Sequence, residues 1–221
     1  KVTGVQTCAL PIWELVRVDY TQLPVPVEGL SDRPAYEFDV TVRGETVKAQ
    51  VYKGKNKYGL DVYLIKDAPE VYTKLLYRYG QKGSKSWEEF SEFLARSSLR
   101  LMQVLEAERQ TRDGAAYKPP VIDMNDGQLG LMPTYKRQGD ASADASQRTL
   151  RKALLWFVTH TYRNRGFYGL NNGSAFLQGA GVHNGELAYF RQLEMFDSTS
   201  GGLRKSDAQS NVAVTHGTEV S

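Results

Sequence analysis

The chain has 221 residues, of which 41% are hydrophobic and 24% charged, and its 28 basic and 25 acidic side chains give a formal net charge of +3. This is the composition of an ordinary globular chain, and the length suffices for one large domain or two small ones. The mixture of both charge signs argues against a nucleic-acid-binding face. No run approaches the ~18 apolar residues of a membrane span, and no secretory signal pattern is present, so the sequence predicts a cytoplasmic protein.

The first segment, residues 1–13 (KVTGVQTCALPIW), has no helical or strand period. Residues 2–12 resemble the translation of a widely used sequencing adapter, so we expect 1–13 to be a non-native leader and exclude it from the fold. The single cysteine, Cys8, falls within this leader. At the other end, residues 215–221 (THGTEVS) are typical of a first helical turn without a stop signal. We therefore expect residues 14–221 to form a partial domain, truncated at both ends.

A β-hairpin is predicted over residues 36–52 (YEFDVTVRGETVKAQVY), where apolar and polar residues alternate on both sides of Arg43-Gly44-Glu45. The lysines at 53, 55 and 57 are interpreted as a solvated rim of this hairpin. A third strand is predicted over 60–65 (LDVYLI). Its apolar density favours a central strand that is buried on both faces.

A long helix is predicted after Ser86, because Trp87-Glu88-Glu89 gives a start like a capping box with acidic residues in the first turn. Apolar and small residues keep one helical stripe to about Glu108. The stripe, which we expect to be core, consists of Phe90, Phe93, Leu94, Ser97, Leu101, Val104 and Leu105.

The next elements predict a parallel sheet. Residues 121–124 form a strand, Asp126 caps a helix to about Lys136, the polar segment 138–147 is a loop, and 150–159 form another strand. Together with the strand at 60–65 this gives a βαβαβ order. We expect an α/β fold with an incomplete Rossmann-like parallel sheet, helices on both of its faces, and the β-hairpin near its start.

Polar clusters follow two of these strands. Asn125-Asp126-Gly127-Gln128 follows one strand, and residues 160–166 (HTYRNRG) follow the next. An aspartate after a strand can simply cap a helix, and a single histidine there can be structural. Ligands of parallel sheets bind at the carboxyl ends of the strands, however, so two clusters on adjacent strand ends indicate a site.

With these residues in place, the chain resembles the N-terminal catalytic domain of the glycogen and starch synthases. The similar segments come in the family's order. They include VYLIKDAPEVYTKLLYRYG, WEEFSEFLARSSLRLM, PPVIDMNDGQLGLMPTYKR, WFVTHTYRNRGFYG and SGGLRKSDAQSNVAVTHGTEVS. The resemblance implies half of a GT-B architecture, which pairs two Rossmann-like domains. It also implies a hexosyltransferase that moves glucose from ADP- or UDP-glucose to an α-1,4-glucan with retention of configuration.

The resemblance also implies site residues. Asp126 matches the acidic residue of the family's "NDW" motif and His160 the histidine of "THN", so these two are the predicted catalytic residues. The predicted substrate-binding residues are Asn125, Gln128, Thr161, Tyr162 and Arg163. The family needs no metal and no cofactor. Positive groups on the departing diphosphate and polar groups on the sugar hydroxyls would carry the chemistry.

The sequence departs from the family pattern at several positions, which limits what the resemblance implies about the site and the activity. Gly127 stands where the family has tryptophan, and Thr161 where it has asparagine. The family's Lys-x-Gly-Gly-Leu loop for donor phosphates is absent; Gly201-Gly202-Leu203 lies at the wrong end of the domain to replace it. We also expect this chain to lack the family's second domain. We therefore expect this chain alone to be inactive.

Two alternatives stay open. An α-glucan phosphorylase carries similar "NEGH" and "THTP" segments and would use pyridoxal phosphate bound in its second domain. A non-catalytic glucan-binding protein would use Tyr162, Phe167 and Tyr168 as a stacking platform for sugar rings. Residues 94–102 and 133–137 fit the synthase better than the phosphorylase.

Overall fold

The structure is a computed structural model that describes residues 27–68, 87–114, 119–125, 127–159, 167–168, 170–192 and 195–211. The strands are β1 Tyr36–Val42, β2 Glu45–Lys55, β3 Asp61–Asp67, β4 Val121–Asn125, β5 Leu154–Thr159, β6 Phe167–Tyr168, β7 Arg191–Gln192, β8 Met195–Asp197 and β9 Ala208–Asn211. The helices are α1 Trp87–Asp113, α2 Met132–Asp140, α3 Leu170–Gly179, α4 Leu187–Phe190 and α5 Ser198–Lys205. Short 3₁₀ turns lie at Gly127–Leu129, Ala145–Gln147 and Asn184–Glu186.

The first sheet is antiparallel, in the order β1-β2-β3, and its hairpin confirms the prediction. Val42 pairs with Glu45, so Arg43 and Gly44 alone form the loop, with φ of +53° and +82°. Positive φ at both central residues is the requirement of the two-residue turn that matches the twist of a hairpin. Glycine supplies this conformation without strain at the second position.

Strand β3 differs from its prediction. It pairs antiparallel with β2 and lies at the edge of this three-stranded sheet, with most of its side chains half-buried. The central, doubly buried strand predicted for 60–65 is therefore wrong. The physical reason is the short connection: the Asn56 side chain accepts hydrogen bonds from the backbone N–H groups of Tyr58 (2.9 Å) and Leu60 (3.0 Å). So tight a turn permits only an antiparallel neighbour, since a parallel one needs a long crossover.

Helix α1 is longer than predicted and buries more than one stripe. Phe90 and Phe93 pack against the antiparallel sheet, while Ala95, Leu99 and Met102 belong to a second core around the parallel strands. A helix between two sheets is covered on two sides, which explains why the burial exceeds a single stripe. The helix continues to Asp113 rather than to Glu108.

The second sheet is parallel, in the order β4-β5-β9, and confirms the α/β class. One face carries the buried side chains Ile122, Met124, Leu155 and Phe157, against which residues of α1, α2 and α3 pack. On the other face, Val121, Leu154 and Trp156 keep 45%, 55% and 43% of their surface exposed. This alternation is that of strands covered on one face in the part of the chain that the structure describes.

Predicted boundaries of β5 and α2 are also wrong. Strand β5 begins at Leu154 because the chain turns over the four preceding residues, where Ala153 N–H donates to the carbonyl of Leu150 (2.9 Å). Helix α2 begins at Met132, and Pro133 lies in its first turn, the helical position where a missing N–H costs nothing. None of the described helices is long and apolar enough to cross a membrane.

Candidate functional site

The three parallel strands end at nearly the same position in register. Asn125, the last residue of β4, pairs with Val158 of β5, and Thr159, the last residue of β5, pairs with Asn211 at the end of β9. The three neighbouring strands therefore end within about one residue of one another in register. This edge is where α/β sheets bind their ligands, because the loops that follow adjacent strands converge there.

Two of the seven predicted site residues are among the described residues. Asn125 ends β4, and Gln128 lies half-buried in the 3₁₀ turn that follows, so the structure brings these two to the same edge. The side chain of Gln128 makes no hydrogen bond to any described residue. The other five predicted residues, Asp126, His160, Thr161, Tyr162 and Arg163, lie outside the described residues.

Helix α5 holds the turn that follows β4. The Ser198 hydroxyl donates a hydrogen bond of 2.6 Å to the carbonyl of Gly127. The approach continues at Gly130, where an added Cβ would lie 1.9 Å from the Ser198 carbonyl oxygen. Only glycine fits at position 130, since this neighbour is backbone and cannot move aside. The start of α5 thereby supports the segment that contains Gln128.

The amino end of α5 is capped by a buried aspartate. Asp197 is fully buried and accepts hydrogen bonds from the Ser200 backbone N–H (2.5 Å) and from its hydroxyl (2.8 Å). A carboxylate at this position satisfies free N–H groups and stabilises the positive end of the helix dipole. The sequence interpretation missed this helix start, although an aspartate before a short run of serines and threonine is a recognisable N-cap signal.

The glycine pair of α5 has a packing role. An added Cβ at Gly201 would lie 2.1 Å from Cε1 of Phe190, and one at Gly202 would lie 2.3 Å from Cε2 of Phe157. Both phenylalanines are fully buried. The absence of side chains at 201 and 202 lets α5 pack directly on β5 and α4.

The last residue of α5, Lys205, is a buried lysine. Lys205 Nζ donates to the Thr134 hydroxyl of α2 (3.0 Å) and to Oε1 of Glu186. Burial lowers the pKa of Lys205, and the contact with Glu186 opposes this shift. Arg137 of α2 also donates to the Lys205 carbonyl (2.8 Å). These contacts join α5 to α2, so both helices that flank the turn after β4 form one unit.

Two cavities lined by described residues lie away from this edge. One of about 350 Å³ lies beside Pro120 and Val121, at the opposite edge of the parallel sheet. Another of about 540 Å³ lies between α1 and α2, beside Arg96 and Tyr135. We place the candidate site at the carboxyl edge despite these cavities, because the sheet geometry brings the polar strand ends together there.

Comparisons with known proteins agree with this fold. A family model described as "Starch synthase catalytic domain" matches residues 17–221. The catalytic domain of starch synthase IV from Arabidopsis thaliana, solved with ADP and acarbose bound, has a similar structure, with a TM-score of 0.61 and 18% sequence identity. The likeness covers 87% of this chain but 36% of that one, so the chain spans about a third of its length. A comparison with curated proteins found no significant match. The family match over nearly the whole chain shows that it belongs to the starch synthase catalytic domain family.

Proposed function

We propose that this chain belongs to a retaining glucosyltransferase that moves glucose from a nucleotide-glucose to the non-reducing end of an α-1,4-glucan. Family membership over residues 17–221 is the observation that carries the proposal. The similar starch synthase IV structure is described as bound to ADP and acarbose, which supports a nucleotide-sugar donor and a glucan acceptor here. ADP- and UDP-glucose are both candidate donors, and the cytosol is the proposed compartment.

The shared position of the strand ends supports the choice of Asp126 and His160 as site residues. Asp126 directly follows β4 and His160 directly follows β5 in the chain. We propose that these two contact the transferred glucosyl unit, with Asn125, Gln128, Thr161 and Tyr162 donating to or accepting from sugar hydroxyls. The free side chain of Gln128, among the described residues, fits such a role. Arg163 would stabilise the negative charge that develops on the departing diphosphate. This chemistry needs neither a metal nor a cofactor from this chain.

The test is glucose transfer by the complete protein with His160→Ala. We expect the rate of incorporation from ADP- or UDP-glucose into glycogen to fall by about 10²-fold or more, because a group aligned with the transition state is lost. The matched control is His183→Ala, since His183 is exposed and lies beside the 3₁₀ turn Asn184–Glu186. Full elongation by His160→Ala would contradict the catalytic role.

The same protein separates the two alternative functions. A phosphorylase would release glucose 1-phosphate from glycogen when supplied with orthophosphate and pyridoxal phosphate. A non-catalytic glucan-binding protein would bind glycogen yet incorporate no glucose from either donor in its unsubstituted form. We expect incorporation from a nucleotide-glucose and no phosphorolysis, and the reverse pattern would overturn the proposal.

A further inference from the structure

The two segments that carry the predicted catalytic residues are both tied to one short piece of chain, the β8–α5 junction (Asp197 and Ser198). Asp126 directly precedes the 3₁₀ turn after β4, and His160 begins the segment 160–166 that runs from β5 to β6. A backbone pairing and a side-chain hydrogen bond connect the junction to both of them. One piece of chain can therefore fix where the two segments lie relative to each other.

The strand residue of the junction holds the far end of the segment 160–166. Strand β6 follows this segment directly and pairs antiparallel with β8, with Phe167 opposite Asp197. The segment leaves β5 at Thr159, which belongs to the parallel sheet. The described residues on both sides of the segment are thus fixed by strand pairing.

The helix residue of the junction holds the turn after β4. Ser198 is fully buried, and its hydroxyl donates to the Gly127 carbonyl (2.6 Å) across 71 positions of the chain. The same carbonyl accepts the Gly130 backbone N–H at 3.2 Å, the hydrogen bond that closes the turn. The turn is closed by its own backbone, and Ser198 fixes its position on α5.

The junction has little freedom to move. Strand β8 is the central strand of its sheet, with β6 on one side and β7 on the other. No loop separates β8 from α5, because Asp197 is both the last residue of the strand and the N-cap of the helix. The Asp197 carboxylate accepts two hydrogen bonds from Ser200, and the Ser198 backbone lies directly against Gly130. A shift of the turn would therefore disturb its position relative to β6.

We propose that Ser198 is a positioning residue of the transfer site. It holds the turn next to Asp126 at a fixed position relative to the segment that contains His160. The inference rests on the proposed function, in which Asp126 and His160 contact the transferred glucosyl unit. Ser198 itself contacts neither donor nor acceptor. Groups that act in a transition state must be held within about 0.5 Å of their productive positions, so the loss of this hydrogen bond should slow transfer more than it weakens binding.

The experiment measures glucose transfer by the complete protein with Ser198→Ala. We expect kcat for incorporation into glycogen to fall about 10-fold, and KM for glycogen and for the nucleotide-glucose to change by about twofold or less. The protein should still fold, because the Gly130 N–H continues to satisfy the Gly127 carbonyl.

The matched control is Ser206→Ala. The Ser206 hydroxyl also donates to a glycine carbonyl, that of Gly202, and again over 2.6 Å, but at the opposite end of α5. We expect this variant to keep the kcat of the unsubstituted protein. Urea denaturation should show both serine variants to be fully folded without denaturant, so that a smaller folded fraction does not account for the fall in kcat.

Two further variants separate positioning from a general packing defect. Ser198→Cys fills nearly the same space but has only a weak donor, so its kcat should be closer to that of Ser198→Ala than to that of the unsubstituted protein. In an Asp126→Ala background, Ser198→Ala should cause little further loss, because Ser198 acts through the turn next to Asp126. Full kcat in Ser198→Cys, or losses that add in the double variant, would contradict the inference.

Hydrogen exchange measures the connection between the two segments without any activity. We expect Ser198→Ala to speed the exchange of backbone amides in both 127–130 and 160–168, and Ser206→Ala to leave both ranges unchanged. Faster exchange in 127–130 alone would show that Ser198 holds the turn but does not connect it to the other segment, and the inference would fail.

These results are distinguishable from failure of the proposed function. If the unsubstituted protein transfers glucose and Ser198→Ala has the same kcat as Ser206→Ala, the positioning inference is wrong and the transfer proposal stands. If the unsubstituted protein transfers no glucose from either donor, the proposed function is wrong. Faster exchange in both ranges would then still support Ser198 as the residue that connects the two segments, and unchanged exchange would overturn that role as well.

Discussion

At the scale of single residues, Glu92 of α1 is a charged group in the core. It is fully buried, and its Oε1 accepts hydrogen bonds from Arg96 Nε (2.9 Å) and from the Arg43 backbone N–H (3.4 Å). Burial raises the pKa of the Glu92 carboxyl above its ordinary value of 4.5, and the Arg96 guanidinium opposes this shift. The ionised form is therefore less favourable in the folded state than in the unfolded chain.

This shift predicts a pH dependence of stability. The folded state binds the Glu92 proton more tightly than the unfolded chain does. The stabilising contribution of Glu92 to the free energy of unfolding is therefore complete below pH 4.5, and it is lost as the pH rises through the raised folded-state pKa. We expect Glu92→Gln to remove this fall in the free energy of unfolding, measured by urea denaturation at a series of pH values. Glu45→Gln, at the exposed start of β2, is the control. An unchanged pH profile in Glu92→Gln would contradict the assignment.

At the scale of elements, the packing of α5 on β5 depends on the missing side chain of Gly202. Because an added Cβ would lie 2.3 Å from the buried Phe157 ring, either the helix or the ring would have to shift. We expect Gly202→Ala to lower the free energy of unfolding by about 1–3 kcal/mol, although alanine favours helices more than glycine does.

Two companion variants check this expectation by chemical denaturation. Gly185→Ala is the matched control, since nothing lies within 4 Å of a Cβ added there, and its effect should be within about 0.5 kcal/mol of zero. Phe157→Leu combined with Gly202→Ala should recover part of the loss, because a smaller side chain faces the new methyl group. Equal stability of the Gly202→Ala and Gly185→Ala proteins would disprove the steric explanation.

At the scale of the whole molecule, Arg96 joins α1 to the elements on both sides of it. Its Nε donates to Glu92, its Nη2 donates to the carbonyl of Ala180 (2.8 Å), and its guanidinium lies 4.0 Å from the centre of the Tyr135 ring. Arg43 of the hairpin extends the connection by donating to the Phe176 carbonyl (2.8 Å). The antiparallel sheet is thus tied to α3 by charged side chains as well as by the shared core.

Removal of Arg96 should therefore destabilise the molecule as a whole. We expect Arg96→Met to lower the free energy of unfolding by about 3 kcal/mol, because it leaves the Glu92 carboxylate buried without its charge partner. Urea denaturation followed by circular dichroism measures the loss. Arg112→Met is the control, as the Arg112 side chain is 73% exposed. Similar losses in the two variants would argue against the network.

The sequence by itself determined the features that depend on neighbours along the chain. Alternation around Arg43 and Gly44 predicted the hairpin, and the apolar stripe predicted α1. Segments that resemble starch synthase motifs, in the family's order, indicated the family. The two polar clusters predicted a site at the carboxyl edge. The structure brings Asn125 and Gln128 to this edge, while the roles of Asp126 and His160 stay predictions.

The tertiary structure decided which elements meet. A tight turn at Asn56 makes β3 an edge strand, although its apolar density is also typical of a central one. The contact between Ser198 and Gly127, and the pairing of Phe167 with Asp197, link residues far apart in sequence. The hydrophobic periodicity of a segment shows only whether one face of its helix or strand is apolar. The partner that covers the face is set by long-range packing, which a single sequence does not display.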